Sequence, residues 1–225
     1  MSAEAAQPYA VMLNVGGRLA VIVGGDARSI RAAKSLSAHG ADVVVISPDV
    51  SHELLCMEAD GELTVESHGY ARGDLDGAFI AVAASGSAEI DAAVGREARE
   101  VGALLNVPGD AGASDFIVPA VLRRGPLQIA VATAGGSPWV TREVRRGIGE
   151  AYGPEWDAYT RLMSELRLLA IDRTGLTDAE LAPLFAAVDA PEVRRLLVAG
   201  RTFTAQELFD EHAAALAAAK KDGAE

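Results

Sequence analysis

Apolar and polar positions along the first two thirds of the chain follow two periods in turn. Residues 18–25, RLAVIVGG, are a short apolar run closing on glycines, the pattern of a strand buried on both faces. Residues 27–39 place Ile30, Ala33, Lys34 and Leu36 at helical spacing, and Gly40 is suited to end that helix. Residues 42–47, DVVVIS, are the next strand, stopped by Pro48. A strand, a helix and a strand within so short a span make a βαβ unit with a right-handed crossover. The alternation goes on with a weak strand at Leu63–Glu66 and a strong one at Ala78–Ala84. A helix over 87–101 and strands at Leu104–Val107 and Leu127–Thr133 follow, then a helix over 138–151 with Pro138 in its first turn.

The pattern changes near residue 153. Trp156, Tyr159, Leu162, Met163, Leu166 and Leu169 recur at three and four residues, the apolar face of an amphipathic helix. Further helices fit 178–188, 191–199 and 205–219. Thr204 and Glu207 form a capping box at the start of the last of these. The fold expected is α/β, a Rossmann-type doubly wound parallel sheet over residues 1–152, followed by a small all-helical domain over 153–225. The apolar faces of that tail would pack on the sheet domain or on a second subunit.

The chain has 225 residues, half of them apolar, which suffices for a real core. Its net charge of −12 is spread over both halves, so it is unsuited to nucleic acid or an anionic membrane. One cysteine, Cys56, rules out an intrachain disulfide and a cysteine-built zinc site. It reads first as a small half-buried hydrophobe. The N-terminus has no signal-peptide pattern and no stretch is apolar enough to span a bilayer, so the cytoplasm is the expected location. The four histidines show no metal-ligand spacing, and no metal site is expected.

Chemistry concentrates first at Val23–Ser29. This turn lies between a strand and a helix, where a dinucleotide pyrophosphate meets a helix N-terminus. Gly24 and Gly25 fit, but Asp26 stands where the second glycine of G-x-G-x-x-G lets backbone approach phosphate. Its carboxylate is repulsive there unless Arg28 or Arg31 neutralises it. Cofactor binding and a plain strand-to-helix turn both remain open from the loop alone. At the end of the second strand, Asp49 would meet the ribose hydroxyls or serve as a turn residue.

Several segments together resemble one family. They are Tyr9 to Arg18, Val23-Gly24-Gly25, Gly40 to Pro48, Asp74-Leu75 with Gly77-Ala78-Phe79, and Asn106-Val107. Asp115 to Leu127 (DFIVPAVLRRGPL) and Ala130 to Pro138 (AVATAGGSP) complete the set. The order of the last two is specific. The chain resembles the precorrin-2 dehydrogenase/sirohydrochlorin ferrochelatase family, including the N-terminal module of siroheme synthase, over about residues 8–150.

The resemblance implies a homodimer that oxidises the tetrapyrrole precorrin-2 to sirohydrochlorin with NAD, with ferrous iron insertion in some members. It places Ala27 and Arg28 at the nucleotide phosphates, Pro48 and Asp49 beside the ribose, and Thr133 and Ser137 at the substrate cleft. It also implies a catalytic aspartate two residues after Val107. That position is Gly109, with Asp110 next, so Asp110 is the candidate carboxylate and a turn aspartate is its bland alternative. Ser85-Gly86-Ser87 replaces a more acidic turn. Arg142 and Arg145 are the basic candidates for the macrocycle's carboxylates, with solvated surface the bland alternative. Asp26 and Gly109 leave open a chelatase that has lost oxidation. A non-catalytic nucleotide sensor is the remaining alternative, and NAD is not separated from NADP.

Overall fold

A computed structural model describes residues 8–134 and 136–216. Among them the chain divides into two compact units: residues 8–118 with Ala134 and Gly136, and residues 119–133 with 137–216.

The first unit is a parallel sheet in the order β3-β2-β1-β4-β5. Its strands are β1 (Leu19–Val23), β2 (Asp42–Ile46), β3 (Thr64–Glu66), β4 (Ile80–Ala83) and β5 (Leu104–Asn106). The helices between them are α1 (Ala27–Ser37), α2 (His52–Ala59) and α3 (Ala88–Val101). Side chains alternate across β1. Ala20 and Ile22 join Ala33 of α1 and Leu54 and Met57 of α2 on one face. Val21 and Val23 join Val94 and Ala98 of α3 on the other. Each fully buried valine or isoleucine contributes roughly 1.5–3 kcal/mol. Both faces are covered, so the sheet is doubly wound as expected, and the strand order reverses between the parallel neighbours β1 and β4.

The sequence pattern missed α2. This helix is short, and its buried face is only Leu54 and Met57, so no apolar stripe marks it. The expected half-buried Cys56 is therefore exposed, turned away from that face, with Sγ 3.1 Å from His52 Nδ1 one turn earlier.

The loop after β3 is pinned to α3 by Glu97, which is buried. Its carboxylate accepts from the Tyr70 hydroxyl, from Gly73 N at 2.8 Å and from Leu75 N at 3.4 Å. Burial pushes the carboxyl up, but these donors and Arg72 outweigh it and hold Glu97 below the ordinary glutamate value. A lowered folded value means the stabilisation is complete above the unfolded value of about 4.3 and is lost as pH falls through the folded one. Glu97→Gln is expected to cost about 1–3 kcal/mol at pH 7. In urea melts the gap from wild type should narrow as pH drops below about 4, and a gap that stays constant would count against this role.

The strand expected at Leu127–Thr133 does not extend the parallel sheet. The outer edge of β5 is taken up by the returning chain instead. Asp115 Oδ2 accepts from Leu105 N at 2.9 Å, Asp115 N donates to Leu105 O at 2.8 Å, and Ser114 Oγ accepts from Val107 N at 2.9 Å. The later strand pairs with a segment the pattern had not marked. β6 (Ala120–Arg124) and β7 (Leu127–Val131) form an antiparallel hairpin across the turn Gly125-Pro126, with Arg124 opposite Leu127.

That hairpin and α4 (Pro138–Ala151) belong to the second unit with the helices that follow. The compact units thus divide after Val118, ahead of the change of pattern near residue 153. The remaining helices are α5 (Glu155–Thr174), α6 (Ala182–Ala187), α7 (Ala190–Val198) and α8 (Ala205–His212). Leu162, Leu166 and Ala170 of α5, at successive four-residue steps, are buried with Leu184, Val193, Leu208 and Phe209. The Thr204–Glu207 capping box forms as expected. Residues 217–219 of the expected last helix lie outside the described residues.

Candidate active site

The turns after β1, β2, β4 and β5 all leave the carboxyl edge of the sheet. In an open α/β sheet, that edge at the point of reversal is where ligands bind. After β1, Gly24 has φ +130°. A Cβ there would lie 2.1 Å from Ala84 O. A Cβ on Gly25 would lie 2.3 Å from Asp49 O and 2.7 Å from Ser47 Oγ. The two glycines thus let the turns after β4 and β2 close over the start of α1. The glycine turn and the Asp49 backbone are brought together.

Ser47 was not singled out from sequence. It is buried, donates from Oγ to Asp49 O at 2.9 Å and accepts from Asp49 N at 3.3 Å. This serine turn fixes Pro48 and Asp49, whose side chains are exposed. The Ser-x-Asp spacing was the available signal.

Asp26 is the N-cap of α1. Its Oδ1 accepts from Arg28 N at 2.8 Å and Ser29 N at 3.1 Å, and its Oδ2 accepts from Arg28 Nε at 2.8 Å. Arg28 is therefore the neutralising cation, and Arg31 makes no ion pair among the described residues. Burial raises the Asp26 carboxyl, but the guanidinium and the two N–H groups outweigh it and hold it below the ordinary aspartate value. Ser29 stands at the third glycine position of the fingerprint. It is fully buried, and its Oγ lies 3.5 Å from Ala84 O, so a small side chain keeps the close helix–strand approach that glycine provides elsewhere. Ala27 opens the helix.

These residues fit a dinucleotide's phosphates in one respect that the structure shows directly. Two helix N–H groups and a guanidinium converge on a single anionic group, which here is the protein's own carboxylate.

After β5, Gly109 has φ +98° and Asp110 is exposed. Asp110 Oδ1 accepts from Gly112 N and Ala113 N, both at 3.0 Å. This is the turn geometry that the neighbouring glycines favour, and Oδ2 takes no part in it. After β4, Ser85 Oγ donates to Asp91 Oδ1 at 2.7 Å and Ser87 caps α3, so that turn is satisfied by its own helix.

The second unit holds the other candidates. Thr133 Oγ1 accepts from Ser137 N at 3.0 Å and lies 3.2 Å from Thr141 Oγ1. Ser137 caps α4 through Val140 N at 3.3 Å. The Thr133 and Thr141 hydroxyls and the Ser137 backbone thus form one hydrogen-bonded cluster at the start of α4, and the four-residue steps between them were a legible signal for Thr141. Arg142 and Arg145 are exposed on α4 with no ion-pair partner among the described residues, whereas Arg146 is held by Glu143 and Glu150. No group of three or more histidine, cysteine or acidic side chains suited to a metal occurs among the described residues. No described helix is long and apolar enough to cross a membrane.

Comparison with known proteins agrees with this geometry. Residues 11–120 match the family described as "Putative NAD(P)-binding", and residues 124–151 match "Sirohaem biosynthesis protein central". The chain is 38% identical to a siroheme synthase of Chromobacterium violaceum over 137 residues, which is 61% of this chain and 29% of that protein. It is 29% identical to a precorrin-2 dehydrogenase of Priestia megaterium over 198 residues, which is 88% of this chain and 97% of that protein. Among solved structures, one titled "SirC, precorrin-2 dehydrogenase" matches with a TM-score of 0.74 and 27% identity, covering 91% of this chain and 98% of that one. The chain thus spans under a third of the siroheme synthase but nearly all of the stand-alone dehydrogenase. On its fold, its carboxyl-edge glycine turn and these matches, the chain belongs to the precorrin-2 dehydrogenase/siroheme synthase family.

Proposed function

We propose that this protein oxidises precorrin-2 to sirohydrochlorin with NAD as acceptor. The observation that carries the reading is the anion-holding start of α1, beside Gly24 and Gly25, in a chain that matches a precorrin-2 dehydrogenase almost end to end. Gly24, Gly25, Ala27 and Arg28 would hold the diphosphate, and Pro48 and Asp49 would border the ribose. Held there, NAD would supply the hydride-acceptor chemistry for a macrocycle carbon.

The protein's own residues do the rest. Asp110, through the oxygen its turn leaves over, takes the proton lost with that hydride, so the substrate gives up one hydride and one proton. Thr133 and Ser137, already locked to each other, offer the macrocycle a fixed hydroxyl. Arg142 and Arg145, without acidic partners among the described residues, are available to its carboxylates. The same reading assigns a homodimer in the cytoplasm. Trp139, Val140 and Val144 on α4 are exposed in the single chain, which is consistent with a face covered by a second copy.

Anaerobic incubation with precorrin-2 and NAD tests the reading. The sirohydrochlorin spectrum and NADH absorbance should rise together, in equal amounts. No oxidation with millimolar NAD, or oxidation independent of it, would reject the proposal. Ferrous iron added to the same mixture tests the chelatase activity that some family members carry.

A further inference from the structure

We infer that Asp26 is a tethered competitor for the cofactor's diphosphate and sets the affinity of the site; this rests on the nucleotide reading above. Three observations carry it. The Asp26 carboxylate takes the N–H groups of Arg28 and Ser29, which are the donors a helix N-terminus presents to a phosphate. It also takes Nε of Arg28, the cation in this turn. It occupies the position where the dinucleotide fingerprint carries glycine, which has neither charge nor side chain. A diphosphate reaching these donors meets one of two costs. Either the carboxylate stays and repels it, or the side chain rotates away and gives up four hydrogen bonds, one of them a 3.4 Å bond from the Ser29 hydroxyl.

Rotation is feasible. The Asp26 side chain is 45% exposed and that of Arg28 is 42% exposed, so neither is walled in. Once displaced, Asp26 frees both N–H groups and the guanidinium together. The site is therefore built as an exchange of one anion for another, with a weaker net affinity than an open glycine loop would have.

The test measures NAD and ADP binding by calorimetry, without turnover. Asp26→Asn and Asp26→Ser keep an N-cap acceptor but remove the charge. Both should bind NAD and ADP about tenfold more tightly than wild type, with melting temperatures close to it. Asp42→Asn, at the amino end of β2, removes the same charge on the opposite edge of the sheet and should leave both affinities unchanged. Wild-type or weaker affinity in the two Asp26 variants would overturn the inference and leave the nucleotide reading intact. An equal gain in Asp42→Asn would overturn it too, by making the effect one of net charge. If neither wild type nor the Asp26 variants bind NAD or ADP at millimolar concentration, the nucleotide reading itself fails and this inference with it.

Discussion

Asp110→Asn is expected to slow oxidation of precorrin-2 by about 100-fold or more while leaving the fold intact. The asparagine side-chain oxygen can accept from Gly112 N and Ala113 N as Asp110 Oδ1 does, so the turn after β5 survives. What the amide cannot do is accept a proton at neutral pH, and a positioned general base contributes roughly 100- to 10,000-fold. Asp110→Ala removes the turn bonds as well and should be at least as slow. The amide variant is therefore the cleaner measurement. Single-turnover rates with saturating NAD, alongside melting temperatures, separate the two effects. A wild-type rate in Asp110→Asn would remove this carboxylate from the reaction. The shift from Gly109 to Asp110 would then mark a chain that passes its proton elsewhere.

Gly24→Ala should cost about 3 kcal/mol or more and abolish nucleotide binding. At φ +130° an L-residue is strained by about 1–3 kcal/mol before any contact is counted. The new Cβ would also lie 2.1 Å from Ala84 O and 2.6 Å from Ala84 C. Neither side has room to retreat. Gly24 N donates to Ile46 O at 2.9 Å and Ala84 N donates to Val23 O at 2.9 Å, so the contact is held between three neighbouring strands. Overpacking such a site typically costs a further 1–3 kcal/mol. Gly69→Ala is the matched control, because its Cβ meets nothing within 4 Å and its φ is not positive. It should stay within about 0.5 kcal/mol of wild type. Urea melts of the two variants decide the matter, and equal stability would show that the carboxyl edge is looser than described.

Much of the sheet was legible because burial on both faces writes long apolar runs. β1, β2 and β4 are such runs, and each lies where the pattern placed it. α2 was not legible because a helix with two buried side chains has no stripe. β6 was obscured because Ala120–Arg124 is half-polar and owes its strand conformation to a partner beyond the Gly125-Pro126 turn. Within the site, glycines were readable as glycines, and Arg28 was readable, alongside Arg31, as a candidate partner of Asp26. Ser47 and Ser29 were not, because a serine's role depends on which carbonyl or N–H lies beside it.

Sequence alone determined a βαβ-built parallel sheet, a change to helices near residue 153, and a glycine turn at the end of β1, since hydrophobic period and turn chemistry are local properties. Tertiary structure decided that Asp115 and Ser114 close the edge of β5, and that β7 pairs with β6. It also decided that the Asp26 carboxylate lies on the donors at the start of α1. Both outcomes depend on which backbone groups are left unpaired once the strands have packed, and each such group must find a partner. That count exists only in three dimensions.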